Sequence, residues 1–354
     1  MPAPTQTAAR GTGLSRRATQ RTLVVRSDNV GDVLLSGPAV RAVATGSEVV
    51  YVASPRGVPA ARLLPGVTAT ITFDAPWIAA DPPPVSSAAV DRFVSSVRAA
   101  DVDRAVVLTS FHQSPLPMAL LLRLAGVGRI EAISDDYPGS LLDLRHRVAD
   151  DVHEVLRALS LVEAGGDRLP ATDDGRLRVD VRPGARDPDL VIVHPGASVP
   201  ARTLGPATFA EAARELVRRG RRVLVTGSPS ESALVEDIGR DVPGVELAAG
   251  TYDLRGLAAT LGGAAAVVVG NTGPAHLAAA VGTPVVSAFP PTVPWVRWRP
   301  WGVPTERLGD QDVDCAGCRA RSCPWPAQRC LDGIDGAAVA DAVDRLLERD
   351  RVAA

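Results

Sequence analysis

The sequence predicts an α/β protein in which two Rossmann-like βαβ domains face each other across a cleft. Three observations carry that expectation. From residue 22 onward, short runs rich in Val, Ile and Thr alternate with alanine-rich stretches of helical period, the rhythm of parallel sheets covered on both faces. A stretch rich in glycine, proline and charge, residues 165–188, interrupts the rhythm. The rhythm restarts at Leu190, and 354 residues suffice for two domains of ordinary size.

The elements follow in order. Residues 1–21 are polar and aperiodic and read as a disordered tail; Arg10, Arg16, Arg17 and Arg21, with Arg26 just beyond, precede the first acid, Asp28. A solvated tail is the first reading of these charges and attraction to an anionic membrane the second. Residues 22–170 form the first, acceptor-side domain. A strand over 22–26 enters a glycine turn and a helix over 32–44. Strands over 49–53, 70–73, 104–109 and 129–133 alternate with helices over 87–99 and 117–125, and a helix over 151–164 closes this half. Residues 171–188 are the interdomain linker. Residues 189–354 form the second domain, with strands over 190–194, 222–226, 266–269 and 284–288. Its helices cover 207–219, 231–239, 254–261, 273–281 and, last, 336–348, where Ala340, Val343, Leu346 and Leu347 share a face. Ligands of such sheets sit beyond the carboxyl ends of the strands.

Composition excludes several chemistries. All 38 basic residues are arginine and none is lysine. A Schiff-base lysine, the P-loop lysine and the kinase strand lysine are therefore impossible. Fixed positive charge must come from guanidinium groups, which pair bidentately with phosphate or carboxylate. A net charge of −2 gives no sign of bulk nucleic-acid binding. The longest apolar stretches are too short to span a bilayer, and no apolar signal region precedes Leu23. The expected location is the cytoplasm, with the inner face of the membrane as an alternative.

Five constellations carry chemistry. In Arg26-Ser-Asp-Asn-Val-Gly-Asp32, Gly31 permits a tight turn and Asp32 sits where a helix begins. Asp32 is either an N-cap or a general base for an acceptor hydroxyl, with Asp28 as competitor for the second role. In His194-Pro-Gly-Ala-Ser198-Val-Pro-Ala-Arg202, Ser198 and backbone amides can bond a phosphate that Arg202 neutralises; His194 reads as structural. In Asn271-Thr272-Gly273-Pro274-Ala-His276, a strand runs into a helix whose first turn offers free amides to a pyrophosphate, with Thr272 and His276 in reach. Capping by Asn271 and Thr272 without a ligand is the alternative. In Thr226-Gly-Ser228-Pro-Ser-Glu231, Glu231 either accepts from ribose hydroxyls or starts a helix with Ser228 or Ser230. Finally, Cys315, Cys318, Cys323 and Cys330 have the spacing C-x2-C-x4-C-x6-C. Zinc on four thiolates, as a structural site, is the first reading, an iron–sulfur cluster the second, and free thiols or redox disulfides the remainder.

Together these motifs resemble glycosyltransferase family 9, the ADP-heptose:lipopolysaccharide heptosyltransferase family. The Gly31-Asp32-Val turn, His194-Pro-Gly-Ala-Ser198, Asn271-Thr272-Gly273-Pro274-x-His276 and the helix His153-Glu-Val-Leu-Arg-Ala-Leu match its pattern in order, over about residues 22–335. The resemblance implies a two-domain GT-B fold and an inverting transfer that requires no metal or other cofactor. It places the nucleotide-sugar donor, by default ADP-heptose, on the second domain and the acceptor mainly on the first. Asp32 becomes the catalytic base, and Thr272, Gly273 and His276 hold the diphosphate. Three positions depart from the pattern: Asn271 stands where the family often has an acid, and Arg202 and Leu204 replace its lysine and tryptophan. The implied acceptor is a glycan, glycolipid or small-molecule hydroxyl, not a nucleic acid. The alternatives are a nucleotide-sugar epimerase on the same fold and a non-catalytic protein that binds a nucleotide-sugar.

Overall fold

The computed structural model describes residues 19–79, 82–325 and 327–353, with the side chains of 350–353 left aside. The first unit holds strands β1 (Gln20–Val25), β2 (Ser47–Ala53), β3 (Val67–Thr72), β4 (Arg104–Val107), β5 (Arg129–Ile133) and β6 (Leu144–His146). Its helices are α1 (Val30–Leu35), α2 (Gly37–Ala44), α3 (Val58–Ala61), α4 (Ser87–Ala100), α5 (Leu116–Leu124) and α6 (Glu154–Ala164). The second unit holds β7 (Leu190–His194), β8 (Arg222–Gly227), β9 (Val245–Ala249), β10 (Ala266–Gly270), β11 (Val285–Ala288) and β12 (Thr305–Leu308). Its helices are α7 (Pro206–Arg218), α8 (Ser232–Gly239), α9 (Leu254–Gly262), α10 (Gly273–Ala280), α11 (Trp295–Trp298) and α12 (Gly336–Ala353).

The sheet orders are β3-β2-β1-β4-β5-β6 and β12-β11-β10-β7-β8-β9, and the strand pairs are parallel. Counted from its own first strand, each sheet reads 3-2-1-4-5-6, the dinucleotide-binding order. The order reverses between β1 and β4 and between β7 and β10, so each sheet opens a crevice at the carboxyl ends of those strands. The central strands are covered by helices on both faces: all five residues of β10 are buried, as are all four of β4, Arg104 included.

The two units touch along α1 and α10. Val33 and Leu34 share one apolar cluster with Ala275 and Leu277. Gly31 makes the approach possible, since a Cβ there would lie 2.8 Å from the His276 ring. Further along, His153 Nε2 lies 2.9 Å from the Arg299 carbonyl, its ring 4.4 Å from that of Trp301, whose indole N–H donates to the Gly175 carbonyl at 3.0 Å.

Several boundaries differ from the sequence expectation. Residues 1–18, with Arg10, Arg16 and Arg17, lie outside the described residues. Gln20 and Arg21, assigned to the tail, stand in β1, where Arg21 pairs with Glu48 at 2.9 Å. The helix expected over 32–44 starts earlier, with Asn29 as N-cap, and breaks in two at Ser36, just ahead of Pro38. The helix expected from 151 starts at Glu154; His153 caps it, Nδ1 accepting from the Val155 N–H at 3.2 Å. The outer strands β6, β9 and β12 were not expected, because their half-exposed residues lack a clean apolar pattern. Among the described residues no helix is long and apolar enough to cross a membrane.

Candidate active site

The first unit brings acids to the crevice and organises them around one cation. Arg26 follows β1 directly and is buried. Its Nε lies 2.6 Å from Asp28 Oδ2, a charge contact off the N–H axis. Its Nη2 serves Asp32 Oδ1 at 3.0 Å, Glu154 Oε2 at 2.9 Å and Ser110 Oγ at 2.8 Å. Burial alone would disfavour the guanidinium charge, but Asp28, Glu154 and Asp32 outweigh it and raise its pKa.

The three acids are not equivalent. Asp28 is fully engaged: Gln113 Nε2 donates to Oδ1 at 2.6 Å, while Oδ2 faces Arg26. The side chains of Asp28 and Glu154 are 8% and 1% exposed, whereas Asp32 is 22% exposed and opens to the cleft. Burial pushes the pKa of Asp28 and Glu154 up, against the opposing pull of Arg26. Asp32 is not the cap of α1, since Asn29 takes that position. It lies in the first turn of α1.

The second unit brings donors to the same cleft. Thr272 is the N-cap of α10 by backbone conformation, yet its hydroxyl makes no cap bond and is buried without a partner. Asn271 Nδ2, His276 Nδ1 and Arg202 Nε are likewise buried and unpartnered. Burial costs between about 1 and 3 kcal/mol for each unsatisfied group, so four on residues lining one cavity mark a place for a polar ligand. Burial holds the His276 pKa down to about 4, leaving its imidazole neutral at neutral pH. It also lowers the pKa of Arg202, against the attraction of Asp32. All four residues, with Ser198, Gly273 and Asp32, line one cavity of about 340 Å³.

A neighbouring cavity of about 380 Å³ shares Asn29, Gly31, Ser198, Thr272 and Gly273 with the first. Glu231, Tyr252 and Leu257 line it further out. Glu231 starts the helical turn, the second of its two expected roles. Its Oε2 accepts from the Ser228 N–H at 2.7 Å and hydroxyl at 2.8 Å, a capping box, while the residue also faces the cavity. His194 is buried, with Nδ1 3.0 Å from Thr226 Oγ1, and also lines this cavity.

Sequence reasoning missed Arg26, Ser110, Gln113 and Glu154. Arg26 carried a usable signal, a lone cation at a strand's carboxyl end just before Asp28. Glu154 carried none for this site, because it lies 128 residues from Arg26. The four cysteines stand apart from both cavities. Cys330 is buried, Cys315 and Cys323 are half-buried, Cys318 is exposed, and all are free thiols. Burial raises the Cys330 pKa, and Cys315 and Cys323 lie near enough to add to the rise. Among the described residues, no group of three or more His, Cys, Asp or Glu side chains is placed to hold a metal ion.

Two sheets of dinucleotide-binding order, with acids and anion donors meeting across the cleft between them, define the GT-B class of glycosyltransferase fold. The chain belongs to glycosyltransferase family 9 (heptosyltransferase), whose sequence model matches residues 90–328. That match includes Arg202 and Asn271 through His276 but begins beyond Asp32. The chain is 36% identical over 155 residues to lipopolysaccharide heptosyltransferase 1 of Pseudomonas aeruginosa, a stretch covering 43% of this chain and 41% of that relative. Its fold is similar to that of a family 9 glycosyl transferase from Veillonella parvula (TM-score 0.74, 18% identity, 93% of this chain and 97% of the other). It is also similar to E. coli heptosyltransferase WaaC with ADP-2-deoxy-2-fluoro heptose (TM-score 0.69, 20% identity, 92% and 99%).

Proposed function

We propose that the protein transfers a heptosyl group from ADP-heptose, with inversion, to a hydroxyl of an acceptor glycan, glycolipid or small molecule. The observation that carries this is the single cavity lined by the partly exposed carboxylate of Asp32 and by Arg202, Asn271, Thr272 and His276, each of which carries a buried, unpartnered polar atom. In the reaction, Asp32 takes the proton from the acceptor hydroxyl as its oxygen attacks the anomeric carbon. A glycosidic C–O bond forms, the anomeric C–O bond to the diphosphate breaks, and ADP leaves. Arg202 and the first amides of α10 neutralise the leaving diphosphate, and Thr272, His276 and Ser198 add hydrogen bonds. This division of labour asks for no metal, because guanidinium and helix dipole supply the charge. Glu231 faces the ribose side, with Oε2 held by Ser228 and Oε1 available to a hydroxyl.

The donor is chosen on the family's description and on the donor analogue carried by WaaC. A lipopolysaccharide-type glycan is the acceptor that the Pseudomonas relative's name suggests. Family membership favours transfer over the epimerase and non-catalytic alternatives. The proposed setting is the cytoplasm, at the inner membrane face where glycolipid acceptors are presented. A structural zinc on Cys315, Cys318, Cys323 and Cys330 belongs to the same proposal and is supported by their spacing. It requires the cysteines to draw together from the positions they hold here. Elemental analysis of purified protein showing about one zinc per chain supports it; a chain without zinc overturns it.

The function is tested by thermal shift against a nucleotide panel. ADP should stabilise the protein by more than UDP or GDP, and ADP-heptose with an acceptor should yield ADP and a glycosylated product. No response to any nucleotide would refute the proposal.

A further inference from the structure

We infer that Glu154 is a positioning residue for the base: it competes with Asp32 for the Nη2 group of Arg26 and so keeps Asp32 from being neutralised by that cation. The inference rests on the reading of Asp32 as the base. Nη2 carries two hydrogens and has three acceptors within 3.0 Å: Asp32 Oδ1, Glu154 Oε2 and Ser110 Oγ. All three cannot be served at once. The side chains of Glu154 and Arg26 are 1% and 3% exposed, so water cannot make up the shortfall. The second oxygen of Glu154 is buried without a partner, which leaves Arg26 as its hydrogen-bonded cation. A carboxylate given sole possession of a buried guanidinium is a poor proton acceptor. Dividing the cation among Asp28, Asp32 and Glu154 preserves the proton affinity that a general base needs.

The other groups around Asp32 do not replace this arrangement. Its own loop presents Asp28, β2 presents the Tyr51 phenol bonded to Ser36, and the loop after β4 presents His112. The second unit presents Arg202, His276 and, from the cysteine-bearing segment, Arg319. Arg157, one turn beyond Glu154 on α6, is the further cation facing Glu154. Of these, Glu154 and Asp28 are the acids that reach Arg26, and Asp28 is bound to Nε rather than to the contested nitrogen.

The test compares Glu154→Gln and Arg26→Gln with wild type, following ADP release from ADP-heptose against pH, with ADP affinity by calorimetry as the measure of an intact fold. In Glu154→Gln the acid limb of the rate profile should move to lower pH by about 1 unit, because Asp32 then holds Arg26 with one competitor fewer. The plateau rate should fall several-fold as the base weakens, and ADP affinity should stay within twofold. In Arg26→Gln the acid limb should move the opposite way, to higher pH. A limb unmoved in Glu154→Gln, with Asp32→Asn inactive, overturns the inference alone and shows that Glu154 holds its own proton. Asp32→Asn that retains wild-type ADP release overturns both the base assignment and the inference. If Glu154→Gln loses ADP binding, Glu154→Asp serves as the second variant: it retains the charge, and a limb shift like that expected for Gln would also overturn the inference.

Discussion

The two units share a fold order yet prepare their halves of the cleft in opposite ways. At the edge of the first, acids surround Arg26 and bonds are made within the protein: Asp28 to Gln113, Glu154 and Asp32 to Nη2. At the edge of the second, Arg202, Asn271, Thr272 and His276 hold polar atoms that meet no protein partner. The first half engages its acids within the protein, with Glu154 Oε1 and the Ser27 and Thr109 hydroxyls left unpartnered, whereas the second leaves its cation-bearing and amide groups open. That is the difference expected between a group that must act on a proton at a fixed place and a surface that must receive an anion. Unsatisfied donors cost stability in the free protein and return it on binding, so the second unit should respond to nucleotide far more than the first.

The contrast breaks most sharply at Asp32. Asp32→Asn keeps shape and removes the proton acceptor, so transfer should fall by about 10²–10⁴-fold while ADP affinity is retained. Asp28→Asn should be much milder in rate, because both Asp28 oxygens already face protein groups. Its effect should show instead as lost stability. Comparable rate losses in the two variants would erase the distinction drawn between an exposed acid and a buried one.

The next effect separates the halves by pH. His276 at the open edge and His153 at the junction of the units are both held neutral by burial, at about 4 against an ordinary 6.5. A depressed histidine stabilises the folded state fully above pH 6.5, and that stability is lost as pH falls towards 4, since the unfolded chain binds the protons. Roughly 3 kcal/mol per histidine is at stake over that window. Urea midpoints measured between pH 7 and 4.5 should fall, and the decline should be shallower in His153→Asn. An unchanged slope would mean that His153 is not held neutral. Asp173 and Glu215, held at about 2 mainly by arginine hydrogen bonds, act in the same direction only below that window.

Much of this contrast was legible in the sequence, and the unreadable part has a physical cause. The donor edge is local: Asn271 through His276 form one strand-to-helix turn, and the amides of a helix start can be read from six residues. Asp32 was legible for the same reason. The acid edge is not local. Ser110 and Glu154 reach Arg26 because β4 pairs with β1 and because α6 packs back over the sheet, contacts that no spacing rule encodes. The same holds for β6, β9 and β12, whose outer positions leave them half-solvated and unpatterned.

Arg202 provides the third test. It is the cation where the resembled family places a lysine, and Arg202→Ala should weaken ADP binding by about 10–100-fold, the worth of one or more charge-assisted bonds. Arg202→Lys should keep part of the affinity, because the charge remains while the guanidinium fork is lost. Equal ADP affinity in all three proteins would show that the open edge is held by α10 alone.

The smallest effect is the most discriminating. The Thr272 hydroxyl is buried at the N-cap of α10 yet makes no cap bond. Thr272→Val keeps the β-branched shape and deletes that oxygen. If the hydroxyl exists to meet a ligand, its removal relieves an unsatisfied group in the free protein and removes a bond in the complex. The two consequences have opposite signs: unfolding without ligand should become harder by up to about 1 kcal/mol, while ADP binding weakens by about fivefold. A hydroxyl that served only the helix would give a destabilised free protein and unchanged ADP affinity. Chemical denaturation and calorimetry on the same variant therefore decide whether the second unit's edge was built for its own fold or for an anion.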